Sequence, residues 1–543
     1  MAKIVAENLE AYHYDVSPNL DGVFDSVYWC SHCQIPLLVH ECPLCHSKAR
    51  RCARDLKPVF NRERELFESV TATKLPTFLF ANRNYVYFEG RTLFAFSADP
   101  YGEPRLVTHK LDQLNNCLPS VYQPEYAQRM WELCLQANRT ALEEIEAGAI
   151  EFIHREAERF SDRDKVVAFS GGKDSAVTAT LVKKAIGSVP LVFGDTTLEF
   201  PNTNSYVRKF AELNGFQLFQ AEPDAKFLNL CEALGPPSRI MRWCCTVCKS
   251  RPINKLYSRL PRDVLSFDGI RRMESSRRAD YPRVAHIQKF SRQVAARPIV
   301  NWSSFAVWLY IFTEGLEYNP LYEYGYSRVG CMYCPSNTPF SEYLTKLNFP
   351  SLYDAWTEYL IDYAARSGKE DPKSYVLEGY WKRRNILKQR AFVVEPSQPC
   401  GPQDDLVYSF ESLITDELVE FLKPFGQLSI LEGNGSVSFV VGSGNPFMIT
   451  GVTGDNQLSI SFGRKHTRLI RMQIEKQIEK YLNCVHCGGC AGVCLQGAIA
   501  IRDGRYSIDG NKCARCGRCV TTKYLKEGCV ALNFGIAKKA IRR

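Results

Sequence analysis

Strand and helix signals alternate over residues 164–345. This predicts an α/β protein with a parallel sheet core and helices on both faces. Three observations carry the prediction. An apolar run over 165–169 leads through a glycine turn into a helical pattern over 174–185. A second pairing follows, a strand over 189–193 with a helix over 204–214, and then a third strand over 217–221. The second strand also ends in Asp195, Thr196, Thr197 and Glu199, polar groups of the kind that face the ligand crevice at the carboxyl edge of such a sheet.

The flanking segments read differently. Residues 1–60 carry a first cysteine set and little apolar periodicity, and are expected to form a small metal-bound ribbon. Short strands with turns at Asn82–Asn84 and Glu89-Gly90 predict a compact β-rich module over 61–115. Tyr126, Met130, Leu133, Leu142 and Ile145 recur at helical spacing, so 116–160 is expected to be a helical connector. The core domain is placed at 161–395, its last part helical. The Pro/Gly-rich run from Glu395 to Pro402 marks its boundary. A small α+β module is expected over 403–480, closed by a helix over 468–482, and a last cysteine-rich domain over 481–543.

A chain of 543 residues is too long for a single core. No run of about 18 apolar residues appears, so no membrane span is expected. The N-terminus lacks the apolar core of a signal peptide, so a cytoplasmic location is expected. There, closely spaced cysteines bind metal or do redox work more often than they form disulfides. The net charge of +9 favours anionic partners without naming one.

The segment Val166-Val-Ala-Phe-Ser170-Gly171-Gly172-Lys173-Asp174-Ser175 is a strand, a glycine turn and a helix start. The glycines let backbone N–H groups converge, the helix N-terminus adds partial positive charge, and Lys173 adds a full one. Together they suit an anion, most plausibly a pyrophosphate group. The pattern is not a Walker A loop, which needs G-x-x-x-x-G-K-[ST]. It resembles the PP-loop of the ATP-pyrophosphatase superfamily, which includes FAD synthetases and tRNA-thiolating enzymes. That resemblance makes Ser170 to Ser175 the seat of the β,γ-phosphates of ATP, with Lys173 and Asp174 in catalytic roles. Asp195 is read as a nucleotide or magnesium ligand, or else as a helix cap.

Downstream, Cys244, Cys245 and Cys248 are followed by Cys331 and Cys334. Five thiols are available where a [4Fe–4S] cluster needs four; zinc is the alternative. From about 160 to 345 the pieces SGGKDS, GDTTLEFPNT, GPPSRIMRWCCTVCKSRPI, DGIRRMESSRR and NPLYEYGYSRVGCMYCPSN come in the order of the phosphoadenosine phosphosulfate (PAPS) reductase family. The chain resembles that family. The resemblance makes Cys244, Cys245, Cys331 and Cys334 the cluster ligands and leaves Cys248 as a substitute ligand or a reactive, catalytic thiol. It also places Gly269, Arg271 and Arg277 at the nucleotide, where arginine forks suit phosphate or sulfate. Two departures stand out. The Glu-Cys-Gly-Leu-His-like tail that carries the catalytic cysteine of assimilatory reductases is missing, and the phosphate loop is complete where theirs is usually degenerate.

At the N-terminus, Cys30-x2-Cys33 and Cys42-x2-Cys45 are two knuckles separated by residues 34–41, a spacing that suits structural zinc. At the C-terminus, Cys484-x2-Cys487-x2-Cys490-x3-Cys494 has the bacterial ferredoxin spacing. Cys513, Cys516 and Cys519 repeat it, with Cys529 nine residues further on. An Asp503-Gly504 turn between them suits a hairpin. The segment resembles a two-cluster ferredoxin. That resemblance assigns Cys484, Cys487, Cys490 and Cys529 to one [4Fe–4S] cluster and Cys513, Cys516, Cys519 and Cys494 to the other.

The leading functional expectation is an enzyme that binds ATP, with magnesium, and couples adenylation to sulfur transfer or reduction. Sulfur-donor and electron-donor proteins are its expected partners, and a tRNA or DNA acceptor is one possibility. The alternatives are an adenylylsulfate or PAPS reductase with built-in electron supply, and a non-catalytic nucleic-acid-binding iron–sulfur protein.

Overall fold

The computed structural model describes residues 26–99, 102–287, 290, 292–384, 392–396, 405–410, 414–426, 428–433, 436–441, 449–453, 456–462, 468–520 and 528–534. Its centre is a six-stranded sheet. The strand order is Leu218–Ala221, Leu191–Gly194, Asp164–Ala168, Val264–Asp268, Gln293–Ala296 and Val284–His286. The first five strands run parallel and the last is antiparallel.

Alternate residues of these strands enter different cores, as the two-residue period of a strand requires. Val167, Leu191, Phe193, Leu265 and Phe267 pack with the helices Pro124–Arg159, Lys173–Ile186 and Ser304–Thr313. Val166, Val192 and Val264 instead pack with Ile253 and Tyr257 of helix Arg251–Tyr257. Both faces are therefore covered, which explains why these strands read as near-continuous apolar runs.

The chain leaves strand Asp164–Ala168 in one direction for two strands and then crosses to its other side. The loops after Asp164–Ala168 and Val264–Asp268 consequently lie side by side where the order reverses, the usual place for a ligand.

The N-terminal strands Val27–Cys30, Ile35–Leu37 and Arg50–Ala53 form a small antiparallel sheet. It is pinned to the connector helix by Asn138. That buried amide accepts from Leu38 N at 2.7 Å and donates to Pro36 O at 3.0 Å. A five-stranded antiparallel sheet follows, from Lys57–Pro58 to Pro104–His109. It begins before residue 61, because Lys57–Pro58 pairs with Phe80–Asn82.

One expected boundary moves. Strand Phe392–Pro396 pairs with Asp405–Phe410, so the Pro/Gly-rich run connects two strands of one sheet. That six-stranded antiparallel sheet starts at Phe392, not after Pro402. Helix Arg468–Leu482 follows it. The hairpin Ile499–Arg502 with Arg505–Ile508 then turns at Asp503 and Gly504, both at positive φ. Among the described residues no helix is long and apolar enough to cross a membrane.

Candidate active site

The phosphate loop lies between strand Asp164–Ala168 and helix Lys173–Ile186. Gly171 turns it with φ of 72°, and a Cβ there would fall 2.8 Å from Thr203. Ser175 Oγ accepts from Ser170 N at 3.2 Å and donates to Gly172 O at 2.8 Å, closing the loop on itself. Two residues outside the motif brace it. Asn319 donates to Gly171 O at 3.1 Å, and Lys173 N donates to the Tyr322 hydroxyl at 3.0 Å. Gly269 has a packing reason to be glycine: its Cβ would lie 2.6 Å from Asp174 O.

Charge converges on Asp174. Lys173 Nζ lies 2.8 Å from one carboxylate oxygen and Arg271 Nε 2.5 Å from the other. Burial alone would raise the Asp174 carboxyl, but the Arg271 and Lys173 charges outweigh it and hold it well below the usual range. Burial, with the repulsion of Arg271, pulls the Lys173 ammonium down against the attraction of Asp174. Arg271 also faces Asp55 of the N-terminal region at 3.9 Å. Arg278 pairs with Glu274 and feels Arg328. Lys173, Arg271, Arg278 and Arg328 thus stand against Asp55, Asp174 and Glu274, and this edge has room for an anion's charge. Arg277 lies in the turn Ser276–Arg278; its side chain is outside the described residues.

At the end of strand Leu191–Gly194, Asp195 accepts from Thr197 N at 2.9 Å and from Gln220 Nε2 at 2.8 Å. It therefore shapes its own turn and does not cap the following helix. Glu199 is buried. Burial pushes its carboxyl up, opposed by the Thr196 hydrogen bonds and reinforced by Asp195. Thr196 Oγ1 lies 3.6 Å from Cys331 Sγ, and Cys331 Sγ lies 3.9 Å from Glu199 Oε1. The acidic turn after the second strand is thereby joined to the middle cysteines.

Those cysteines are brought together from two segments. Cys244 and Cys245 are hydrogen-bonded neighbours, and Cys331 and Cys248 lie beside them. Arg242 faces Cys245, Cys334 and Cys244, and its Nη2 donates to Cys245 Sγ at 3.3 Å. The hydrogen bond from Cys244, then Arg242 and Lys249, draw the Cys245 thiol well down despite burial. Cys248 is fully buried, and burial followed by Cys331 pushes its thiol up to about 12. Burial of that kind favours the neutral thiol over the thiolate.

The N-terminal knuckles put the sulfurs of Cys30, Cys33, Cys42 and Cys45 within 4.8 Å of one another, close enough to surround a single ion. In the C-terminal domain, Cys484, Cys487, Cys490 and Cys529 are mutual neighbours. Cys519 lies near Cys494 and Cys490. Cys513 is half-buried and Cys516 exposed. This domain touches the core domain directly. Cys529, Val530 and Ala531 share an apolar core with Cys244 and Cys248, and Cys487 packs on it. A Cβ on Gly492 would lie 2.7 Å from the Arg251 side chain. The middle and last cysteine sets are therefore contiguous.

Residues 164–337 match the model of the phosphoadenosine phosphosulfate reductase domain. An adenosine 5'-phosphosulfate reductase of Streptomyces coelicolor is 32% identical over 212 residues, which is 37% of this chain and 84% of that protein. The chain belongs to the PAPS reductase family. Two uncharacterized proteins of Methanocaldococcus jannaschii are 35% and 30% identical over 254 residues each. This family member spans only 52% and 60% of their lengths. Among solved structures, a PAPS reductase from Candida auris, in a phosphate complex, is 20% identical. The match covers 36% of this chain and 95% of that one, with a TM-score of 0.29. The [4Fe–4S] U34-tRNA thiolase NcsA of Methanococcus maripaludis is 18% identical over 45% of this chain and 80% of that one, with a TM-score of 0.27.

The family stretch holds the phosphate loop and all five middle cysteines; the outer two cysteine sets lie beyond it. Sequence reasoning passed over Asp55, Arg242, Lys249, Asn319, Tyr322 and Arg328 as site residues. Arg242 and Lys249 had a usable signal, since each adjoins the cysteine motif. Asp55 had none, because only the packing of the N-terminal region brings it to Arg271.

Proposed function

We propose that this PAPS reductase family member binds ATP at Ser170–Ser175 and couples adenylation to sulfur transfer. The observation that carries the reading is the complete phosphate loop, with Lys173 and Arg271 gathered at Asp174, on the same sheet edge as Cys331, which Glu199 and Thr196 touch. In the proposed reaction an acceptor oxygen attacks the α-phosphorus of ATP. The bond to the β-phosphate breaks, and pyrophosphate leaves with its charge held by Lys173, Arg271 and the loop N–H groups. A sulfur nucleophile then displaces AMP from the acceptor. Magnesium with the nucleotide, donor proteins for sulfur and electrons, and a tRNA or DNA acceptor belong to the same reading.

The chemistry of the thiol donors supports this reading. Four sulfurs within 4.8 Å suit zinc in a structural role at Cys30, Cys33, Cys42 and Cys45. Arg242 and Lys249 beside the middle cysteines suit the negative charge of a thiolate-bound iron–sulfur cluster. When bound, such clusters in the middle and C-terminal domains would supply electrons and a place to hold sulfur.

The test is pyrophosphate release from ATP by anaerobically purified full-length protein, with sulfide and candidate acceptors. Lys173→Ala is expected to abolish it. Absence of both ATP binding and pyrophosphate release, with every acceptor tried, would sink the reading. A second reading is favoured by the Streptomyces coelicolor relative: reduction of an adenylylsulfate. It predicts sulfite and AMP from the reduced protein, and no pyrophosphate from ATP.

A further inference from the structure

Helix Arg468–Leu482 carries a lysine where a core should be apolar. Lys480 is fully buried, along with Ile474, Gln477 and Ile478 on the same helix. Its ammonium donates to the Tyr506 hydroxyl at 2.8 Å, and lies 4.5 Å from the Tyr506 ring and 5.4 Å from that of Phe421. A hydroxyl and two ring faces soften the burial of a charge but do not neutralise it. Interior lysines are rare unless a negative group compensates them.

The negative groups here are sulfur. Lys480 sits beside Tyr506 and Phe421, on whose core Cys490 and Cys519 pack, and Cys529 is close enough to act on its ammonium. One turn earlier on the same helix, Gln477 Nε2 reaches Cys519 Sγ at 4.0 Å. Cys484, Cys490, Cys513 and Cys519 all pack on the core that this helix builds with Phe421 and Tyr506. Cys490 and Cys529 belong to the set with Cys484 and Cys487, whereas Cys519 belongs with Cys494. The ammonium therefore stands between the two sets.

We infer that Lys480 is a built-in countercation for the two C-terminal cysteine sets, placed to raise the reduction potential of the clusters they hold. This rests on reading those cysteines as cluster ligands. The physical reason is direct. Each electron added makes a thiolate-bound cluster more negative, and a fixed positive charge in a buried site stabilises the reduced form more than the oxidised one. Lys480 is a tuning residue: it acts on the potential and has no contact with substrate.

The test uses full-length protein purified anaerobically, with iron counted and the couples titrated potentiometrically by electron paramagnetic resonance. The C-terminal signals are identified by their loss in Cys490→Ser. Lys480→Met is expected to keep its iron and to shift a C-terminal couple by at least tenfold in its reduction equilibrium, about 59 mV lower for one electron. Lys480→Arg is expected to stay near the wild-type value. If Lys480→Met loses iron while Lys480→Arg keeps it, the need for a cation is again met. An iron-loaded Lys480→Met with the wild-type potential overturns the inference, and so does equal iron loss in Met and Arg variants, which would mark a packing role. A wild-type chain with no iron bound by the C-terminal cysteines overturns the underlying reading instead.

Discussion

In the N-terminal knuckles, four sulfurs meet within 4.8 Å on one short segment. In the core domain, Cys244, Cys245 and Cys248 meet Cys331 and Cys334 only because the sheet folds two remote segments together. The surroundings differ as much as the assembly. Around the knuckles the partners are local: Cys33 N donates to Cys30 Sγ at 3.3 Å, and hydrogen bonds from Ser47 bring the Cys45 thiol down to about 6. Around the middle set stand Arg242, Lys249, Glu199 and Thr196, and beyond them the phosphate loop. The same residue type thus serves two purposes. Local spacing alone builds a place for one ion. A place for chemistry needs charged neighbours and a substrate edge, and those come from topology.

Exchange of single ligands breaks this comparison most sharply. Cys42→Ser is expected to lose zinc, leave the iron content unchanged, and unfold the N-terminal strands at lower temperature. Cys331→Ser is expected to lose the middle cluster's iron and keep the zinc and the melting transition. Elemental analysis and calorimetry on both variants check the pair. Loss of iron from Cys42→Ser would show that the two sites are not independent.

Next in size is Arg271→Met. Arg271 is buried and faces both Asp174 and Asp55. Removing one partner of a buried ionic cluster leaves the others uncompensated, at a cost of about 3–5 kcal/mol. Denaturant unfolding measures it. A loss below about 1 kcal/mol would mean that water already screens the cluster, as at an exposed pair.

The acid limb of stability tests the same cluster through its carboxylate. Asp174 is held below its unfolded value, near 3.9. Its contribution is complete above that value and is lost as pH falls below about 4 toward the folded value. Asp174→Asn is therefore expected to be less stable at neutral pH, and its deficit is expected to shrink on acidification. A deficit independent of pH from 7 to 3 would assign the effect to packing.

How much of this was legible follows from the same contrast. The phosphate loop could be read because its strand, glycines and helix are contiguous, and its residues stand where that pattern puts them, with Lys173 on the first helical turn. The core sheet could be read from its alternating elements. The Pro/Gly-rich run after Glu395 misled, because a connection between paired strands and a linker between domains share one composition. Tyr322 and Asn319 were missed for another reason. Each braces the loop from nearly 150 residues away, and nothing in their local sequence marks that contact.

The smallest effect is also the one that joins the two regions compared above. Asp55 follows the last strand of the N-terminal sheet, yet its carboxylate accepts from Ser304 N at 2.9 Å and Phe305 N at 3.1 Å, at the start of a core helix. The same carboxylate faces Arg271. Asp55→Asn keeps the size and one acceptor oxygen but removes the charge. Loss of a helix-start acceptor costs about 0.5–2 kcal/mol, and Asn is expected at the low end. ATP affinity is the more telling measurement. With Asp55 neutral, Arg271 has one fewer intramolecular competitor, so affinity for a polyphosphate is expected to rise by a few-fold and to fall with salt. Tighter binding without zinc loss would make the N-terminal region an electrostatic part of the nucleotide site; unchanged binding would confine Asp55 to the helix it caps.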